Sequence, residues 1–473
     1  MSGRRPGVRT HDRRSSRCNG GASHLRQPPN LLCGLAFLAG APASSQQQPS
    51  VVAGPNTRVG GDPATPYVEQ MIAVNPVDAE NLVGVSMRVD RNATITVAVV
   101  SRDGGRTWRE SPLPECGFDP WVAFLPSGEA LVSCLANARP DPVLLLRSDD
   151  GGRTWLGPVT LPLNGASFDH PTMVVDTTAG PHPAPVYLVA AQGVRSPSGR
   201  AALLAPVVVS STDGGRTLSA PVRVQSTNLW ANILSAVVLS DGSLGFGFVD
   251  YALDARSAGG GVEEIKAPRV WWVRSTDGGR TFSMPYLVTE IEEMSRWGHV
   301  AVDGSDGLYR DRVYVVSDDF HDGSGGVFVS RSADQGETWS PPTRASRADA
   351  ARRVRRYPTA AVNHRGTLAV AWFDPQEEVG ASCSRLVATA SVDGGVTFLP
   401  PVPVAEVASC NDQSGNVVPR ASGSFDVAGR WPAGGDYFGL AAQPDGTFRA
   451  LWSDSRTGVF QLWTAPIEVR TGG

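Results

Sequence analysis

One eight-residue phrase returns six times in this 473-residue chain. Ser101–Trp108 reads SRDGGRTW, Ser148–Trp155 SDDGGRTW and Ser211–Leu218 STDGGRTL. Ser275–Phe282 reads STDGGRTF, Ser332–Trp339 SADQGETW and Ser391–Phe398 SVDGGVTF. Each residue of the pattern Ser-x-Asp-x-Gly-x-Thr-aromatic has a physical use in a turn. The carboxylates of Asp103, Asp150, Asp213, Asp277, Asp334 and Asp393 are placed to accept from backbone N–H groups two or three residues on, and the Gly supplies left-handed backbone. The Thr opens the next strand, and the aromatic packs into the layer beside it. One copy would mark a hairpin. Six copies, spaced 47, 63, 64, 57 and 59 residues apart, require a repeat architecture.

Each copy follows two or three short β-like runs, such as Met71–Val74, Leu82–Met87 and Thr94–Val100 before the first. The 52 Gly and 37 Pro suit a turn-rich all-β chain. After the sixth copy comes one more set, Tyr437–Ala442, Phe448–Trp452 and Phe460–Pro466, with no phrase of its own. A strand near Thr57–Val59 would complete it and close a ring, removing the edges that an open array exposes. The expectation is a β-propeller of seven four-stranded antiparallel blades, with six as the alternative count. Residues 65–473 form its single domain, and 44–64 form an N-terminal segment with the closing strand.

The phrase resembles the Asp box, or BNR repeat, of the sialidase superfamily and of related secreted propellers, over roughly residues 65 to 470. The resemblance implies that each box joins the third and fourth strands of a blade. It also implies glycan recognition, with exo-α-sialidase-like hydrolysis as the enzymatic outcome. Sialidases hold the substrate carboxylate with three arginines and use a Tyr–Glu nucleophile pair with an Asp acid/base. Their first arginine stands in Arg-Ile-Pro. Here no Arg-Ile-Pro occurs, and the upstream Arg58 stands in Thr-Arg-Val-Gly, so no role transfers by motif.

Residues 1–43 read as a secretory signal peptide: seven Arg, an apolar run from Leu31 to Gly40, then Ala41-Pro42-Ala43. The run is too short to span a bilayer. Losing the seven Arg and Asp12 takes the formal charge from −4 to −10, which argues against nucleic acid and anionic membrane surfaces as partners; no membrane insertion is expected. A secreted or periplasmic monomer is expected. Cys116, Cys134, Cys383 and Cys410 remain, and closeness along the chain pairs Cys116 with Cys134 and Cys383 with Cys410. Four buried thiols are the plain alternative.

In such a ring the first strand of each blade starts at a central channel, on the face opposite the boxes. Counting back from each box gives Glu69-Gln70, Asp119-Pro120, Asp169-His170-Pro171, Trp230-Ala231-Asn232, Trp297-Gly298-His299, Tyr357-Pro358 and Asp436-Tyr437. Every start carries a polar or aromatic group suited to a channel mouth. Asp119, Asp169, Glu69 and Asp436 are the carboxyls for glycoside hydrolysis, which needs two flanking the bond. Arg296-Trp297, Arg356-Tyr357 and Arg430-Trp431 put guanidiniums beside aromatic rings, a pattern that can clamp a carboxylate or sulfate while a ring stacks on the sugar. With His170, His299 and Tyr437 these form the substrate-binding set. The bland reading of the arginines is a solvated surface.

The loops after the second strands carry Asp90, Asp141, Asp250, Asp318, Asp319, Asp374 and Asp454, residues that more often shape turns. No cofactor is expected. Calcium at Asp318, Asp319 and Asp322 is the weak alternative, because their spacing is loose for an ion site. Two functions remain: a glycan- or glycoconjugate-binding propeller that hydrolyses its ligand, or a non-catalytic platform for a protein or peptide partner.

Overall fold

The computed structural model describes residues 48–471, apart from 138–141, 163–166, 179–185, 196–201, 226–229, 253–265, 293–296, 321–322, 349–352 and 422. The leader thus lies outside the described residues. The chain forms an all-β, seven-bladed propeller of four-stranded antiparallel blades. The first strands are Tyr67–Val74, Cys116–Phe124, Ser167–Val175, Trp230–Val238, Gly298–Val302, Arg356–Val362 and Gly439–Ala442. Each packs on the first strand of the next blade, and the seventh returns to the first.

Blade seven closes the ring as its edges demand. Its chain-terminal strand, Gln461–Arg470, pairs with Thr57–Val59 in the register Thr57↔Thr464 and Val59↔Leu462. A second N-terminal strand, Ser50–Ala53, extends the pairing from Ala53↔Ile467 to Ser50↔Arg470. Between these strands Asn56 works as a clasp. Its Nδ2 donates to the Val404 carbonyl of blade six at 2.8 Å, and its Oδ1 accepts from Glu406 N and Arg456 Nη1, each at 2.9 Å.

All six repeated phrases fold alike, between third and fourth strands. In the first, Asp103 Oδ1 accepts from Arg106 N and Thr107 N, and Oδ2 accepts from the Thr107 hydroxyl. Ser101 Oγ donates to Asp103 and accepts from Gly105 N at 2.8 Å. The glycine is required twice over: φ is 87°, and a Cβ there would stand 2.7 Å from the buried Arg449 guanidinium of blade seven. The turn therefore also spaces neighbouring blades.

Between the blades the core is aliphatic, with Trp272, Trp372 and Trp452 among its largest fully buried side chains. Buried indoles need an acceptor. Trp372 Nε1 finds Asp374 at 3.0 Å and Trp452 Nε1 finds Asp454 at 2.9 Å, each two residues on. Both disulfides form as paired by proximity along the chain. Cys116–Cys134 ties the first two strands of blade two, and Cys383–Cys410 ties blade six to the insertion that follows it.

That insertion supplies the only helices among the described residues, the turn Ser414–Asn416 and the four-residue helix Val427–Arg430. A hairpin, Val417–Arg420 with Gly423–Asp426, precedes the helix. Val418, Val427, Ala428 and Trp431 bury against Val68, Met87 and Val89 of blade one and Phe460 of blade seven. The insertion is thereby fixed over one side of the channel mouth.

Candidate active site at the channel mouth

The first strands do not enter the mouth straight. Pairing slips between Val68 and Met71, Phe118 and Trp121, Asp169 and Thr172, and Arg356 and Thr359. At these four bulges Glu69, Asp119, His170 and Tyr357 have φ of 54°, 50°, 48° and 54°. Non-glycine residues seldom take positive φ, and such strain concentrates at functional sites. A bulge re-aims a side chain that strict alternation would point elsewhere. The same device at corresponding points of four blades turns four functional groups toward one axis.

Three carboxyls meet there in series. Glu69 donates a hydrogen bond to Asp119, and Asp119 donates one to Asp169. Asp119 Oδ2 also accepts from His170 N at 3.1 Å. Burial, then the charges of Asp119 and Asp436, push Glu69 well above the ordinary carboxylate range. Burial and the Asp169 charge push Asp119 up to about 7. Asp169 is raised by burial as well, but the hydrogen bond from Asp119 and the Arg430 charge oppose the rise. Protons therefore sit toward Glu69 and negative charge toward Asp169. Glu69 is 3% exposed, whereas Asp119 and Asp169 are half-buried.

The insertion completes the site. Trp431 Nε1 donates to Glu69 Oε1 at 2.6 Å, and Arg430 Nη1 meets Asp436 Oδ2 at 3.1 Å. Close approach of this segment needs Gly435, whose φ is 140° and whose Cβ would lie 2.5 Å from Glu69 N. Tyr357 hydrogen-bonds to Asp436, and burial raises its phenol.

Beneath the carboxyls the channel is plugged by rings. Trp121 stacks on His299 at 6.5 Å between centroids, and His170 lies 4.5 Å from Trp297 and 5.1 Å from Tyr437. The cavity left between these rings is ≈ 20 Å³, room for about one water. Burial lowers His170 to about 3 and His299 to about 4, so both imidazoles are neutral at ordinary pH.

Glu69, Asp119, Asp169, Asp436, His170, Trp297, His299, Tyr357, Trp431 and Tyr437 are thus brought together. The three arginines are not seen as one clamp. Arg430 pairs with Asp436, Arg356 lines a neighbouring cavity, and Arg296 lies outside the described residues. Trp121, central to the ring plug, was not singled out by counting strand starts. A usable signal was present in Asp119-Pro120, His170-Pro171 and Tyr357-Pro358, three X-Pro steps at bulged strand starts.

Several aspartates after second strands serve the scaffold. Asp90 pairs with Arg88, Asp374 with the buried Arg355, and Asp454 with Arg456. Asp319 accepts from the backbone N–H groups of Glu292 and Phe320. Asp141 and Asp322 lie outside the described residues. Among the described residues no group of three or more His, Cys, Asp or Glu is arranged to hold a metal ion.

Solved structures of similar shape are distant in sequence. An ulvan lyase of a polysaccharide lyase family superposes with a TM-score of 0.52 at 10% identity, over 86% of this chain and 95% of its own. A protein of unknown function from Dyadobacter fermentans gives 0.49 at 13% identity, over 89% and 99%. The Hadza microbial sialidase Hz136 gives 0.47 at 15%, over 79% and 73%. The likeness is one of fold. No protein-family model matches the chain, and no curated protein matches its sequence.

Proposed function

We propose that this chain is an exported carbohydrate-active propeller that cleaves glycosidic bonds at its channel mouth by proton transfer between carboxyl groups. The observation that carries the reading is the hydrogen-bonded series Glu69–Asp119–Asp169 beside the Arg430–Asp436 pair. Glycoside hydrolysis needs one carboxyl that holds a proton near working pH and a second that is ionised. Asp119, at about 7 and less enclosed than Glu69, is the general acid that protonates the leaving oxygen.

Carboxyls in mutual hydrogen-bond contact stand closer than the roughly 5 Å of even the tightest flanking pairs. The second role is therefore assigned to Asp436, paired with Arg430, which takes the proton of the attacking water. Glu69, enclosed and donating to Asp119, is a positioning residue.

The ulvan lyase carries polysaccharide chemistry on the same fold, which agrees with a carbohydrate ligand. Two disulfides agree with an oxidising compartment, and among the described residues no helix is long and apolar enough to cross a membrane. The test is a panel of fluorogenic glycosides and a glycan array, run on the native chain and on Asp119→Asn. Turnover that falls by about 10²–10⁴ in the variant is expected. An unsaturated product would replace hydrolysis by elimination. Neither binding nor turnover on any sugar would overturn the reading in favour of a platform for a protein partner.

A further inference from the structure

Next to the carboxyl cluster lies a cavity of the opposite charge. It measures ≈ 270 Å³, and its polar lining comes from Arg353, Arg356, Glu377, Ser382, Ser384 and Asn411. Arg353 meets Glu377 at 3.4 Å, yet its Nε is buried without a hydrogen-bond partner. Arg356 has no ion-pair partner among the described residues. Among the described residues two arginines and one carboxylate thus line the cavity, and Arg356 is without an ion pair there. A cation that lines a cavity with no ion-pair partner among the described residues is free to meet an anion supplied by a ligand.

Two segments wall both the cavity and the cluster. In one, Arg356 lines the cavity while Tyr357 bonds Asp436; in the other, Arg430 pairs with Asp436 while Pro432 and Ala433 line the cavity. The far wall includes Cys383, fixed by its disulfide to Cys410. The cavity is therefore the immediate neighbour of the carboxyls, built on a covalently tied wall. At the cluster itself four carboxyls surround one guanidinium, a setting that opposes an anionic group on the reacting ring. An anionic substituent has its complement one step away.

We infer that this cavity is a subsite for a carboxylate or sulfate group carried by the sugar residue next to the one cleaved at Asp119. The inference rests on the glycan-cleaving reading of the mouth. The planar fork of Arg356 matches either anion in bidentate fashion, and the Ser and Asn side chains supply further donors.

The experiment uses matched oligosaccharides with the full chain. One pair is a uronate tetrasaccharide and its carboxyl-reduced form; the other is a sulfated tetrasaccharide and its desulfated form. Binding is measured by calorimetry for the native protein, R356Q, R353Q, R356K and D119N. In at least one pair the anionic member should bind about tenfold tighter or better, and R356Q should erase that preference while the neutral affinity stays. The pair that responds identifies the anion. R356K, which keeps the charge and loses the fork, should retain part of it. D119N should lose turnover and keep the preference.

Equal binding within both pairs, or a preference that survives in both R356Q and R353Q, would overturn the subsite. Should no sugar be turned over while the Arg356-dependent preference persists, the hydrolase reading fails and the subsite stands.

Discussion

The indole of Trp431 donates to Glu69 Oε1 at 2.6 Å, joining residues that stand 362 positions apart in the chain. The bond makes sense of the protonation order at the mouth. Glu69 accepts from the indole at Oε1, and its carboxyl, raised well above the ordinary range by burial, is the neutral acid in the contact with Asp119. Trp431→Phe keeps most of the packing and removes the donor, leaving an enclosed oxygen unsatisfied. A loss of about 1–3 kcal/mol in urea unfolding is expected. Any turnover should fall through kcat with KM little changed, because Glu69 positions Asp119 and does not reach the sugar.

Asp119→Asn should stabilise the protein at high pH. A carboxyl raised in the folded state binds more protons folded than unfolded. Its favourable contribution is therefore complete at low pH and is lost as the pH rises from about 4 through about 7. Asn does not titrate, so the variant avoids that loss. Its melting temperature should exceed that of the native chain by a few degrees, roughly, at pH 8, and the gap should narrow towards pH 5. A gap that is constant with pH would show that Asp119 does not titrate in this window. Stability gained where activity is lost is the expected signature of a strained site.

The repeated turns make the opposite prediction. At Asp277 burial disfavours the charge, but hydrogen bonds from Thr281 and Ser275 outweigh it and bring the carboxyl to about 2. A depressed folded-state pKa gives stability that is whole above the unfolded value near 4 and is lost as the pH falls towards 2. Asp277→Ala should cost about 1–2 kcal/mol at pH 6, like loss of a helix cap. That deficit should shrink between pH 4 and pH 2. Sugar binding should be unchanged, since the turn lies on the face away from the mouth. Lost binding at an unaltered melting temperature would refute this.

The fold was legible because each repeated turn completes its chemistry within a few residues: Asp103 bonds Arg106 and Thr107. Such a unit reads from one stretch of sequence. Seven blades followed from counting, and Thr57–Val59 from the need to cover an edge. The carboxyls were legible one step further on, because counting back from each turn reaches Glu69, Asp119, Asp169 and Asp436. What those groups do to one another was not. The donation from Trp431 to Glu69, the direction of the proton series and the stacking of His299 on Trp121 depend on backbone bulges and on side chains from distant blades. The arginine pattern was legible only as neighbours in sequence: adjacency to an aromatic says nothing about what a guanidinium meets, and in the fold Arg356 lines a cavity while Arg430 pairs with Asp436.

Ring closure gives the last prediction. The Gln461–Arg470 strand would be an open edge without Ser50–Ala53 and Thr57–Val59, and open edges template association. Asn56, between the two N-terminal strands, adds four hydrogen bonds to Val404 and Glu406 of blade six and to Arg456. Asn56→Ala should cost about 1–3 kcal/mol, because the Val404 carbonyl and the Arg456 guanidinium lose a shared partner. Arg456 keeps its charge partner Asp454 and its stack on Trp463, so the blade itself should survive. A chain beginning at Gly60 loses the whole outer strand. It should elute as oligomers or aggregate at concentrations where the native chain is a single species, and size-exclusion chromatography with light scattering reads this directly. If the shortened chain runs as one species and melts at the native temperature, the N-terminal strands are decoration and the ring is held by its inner strands alone.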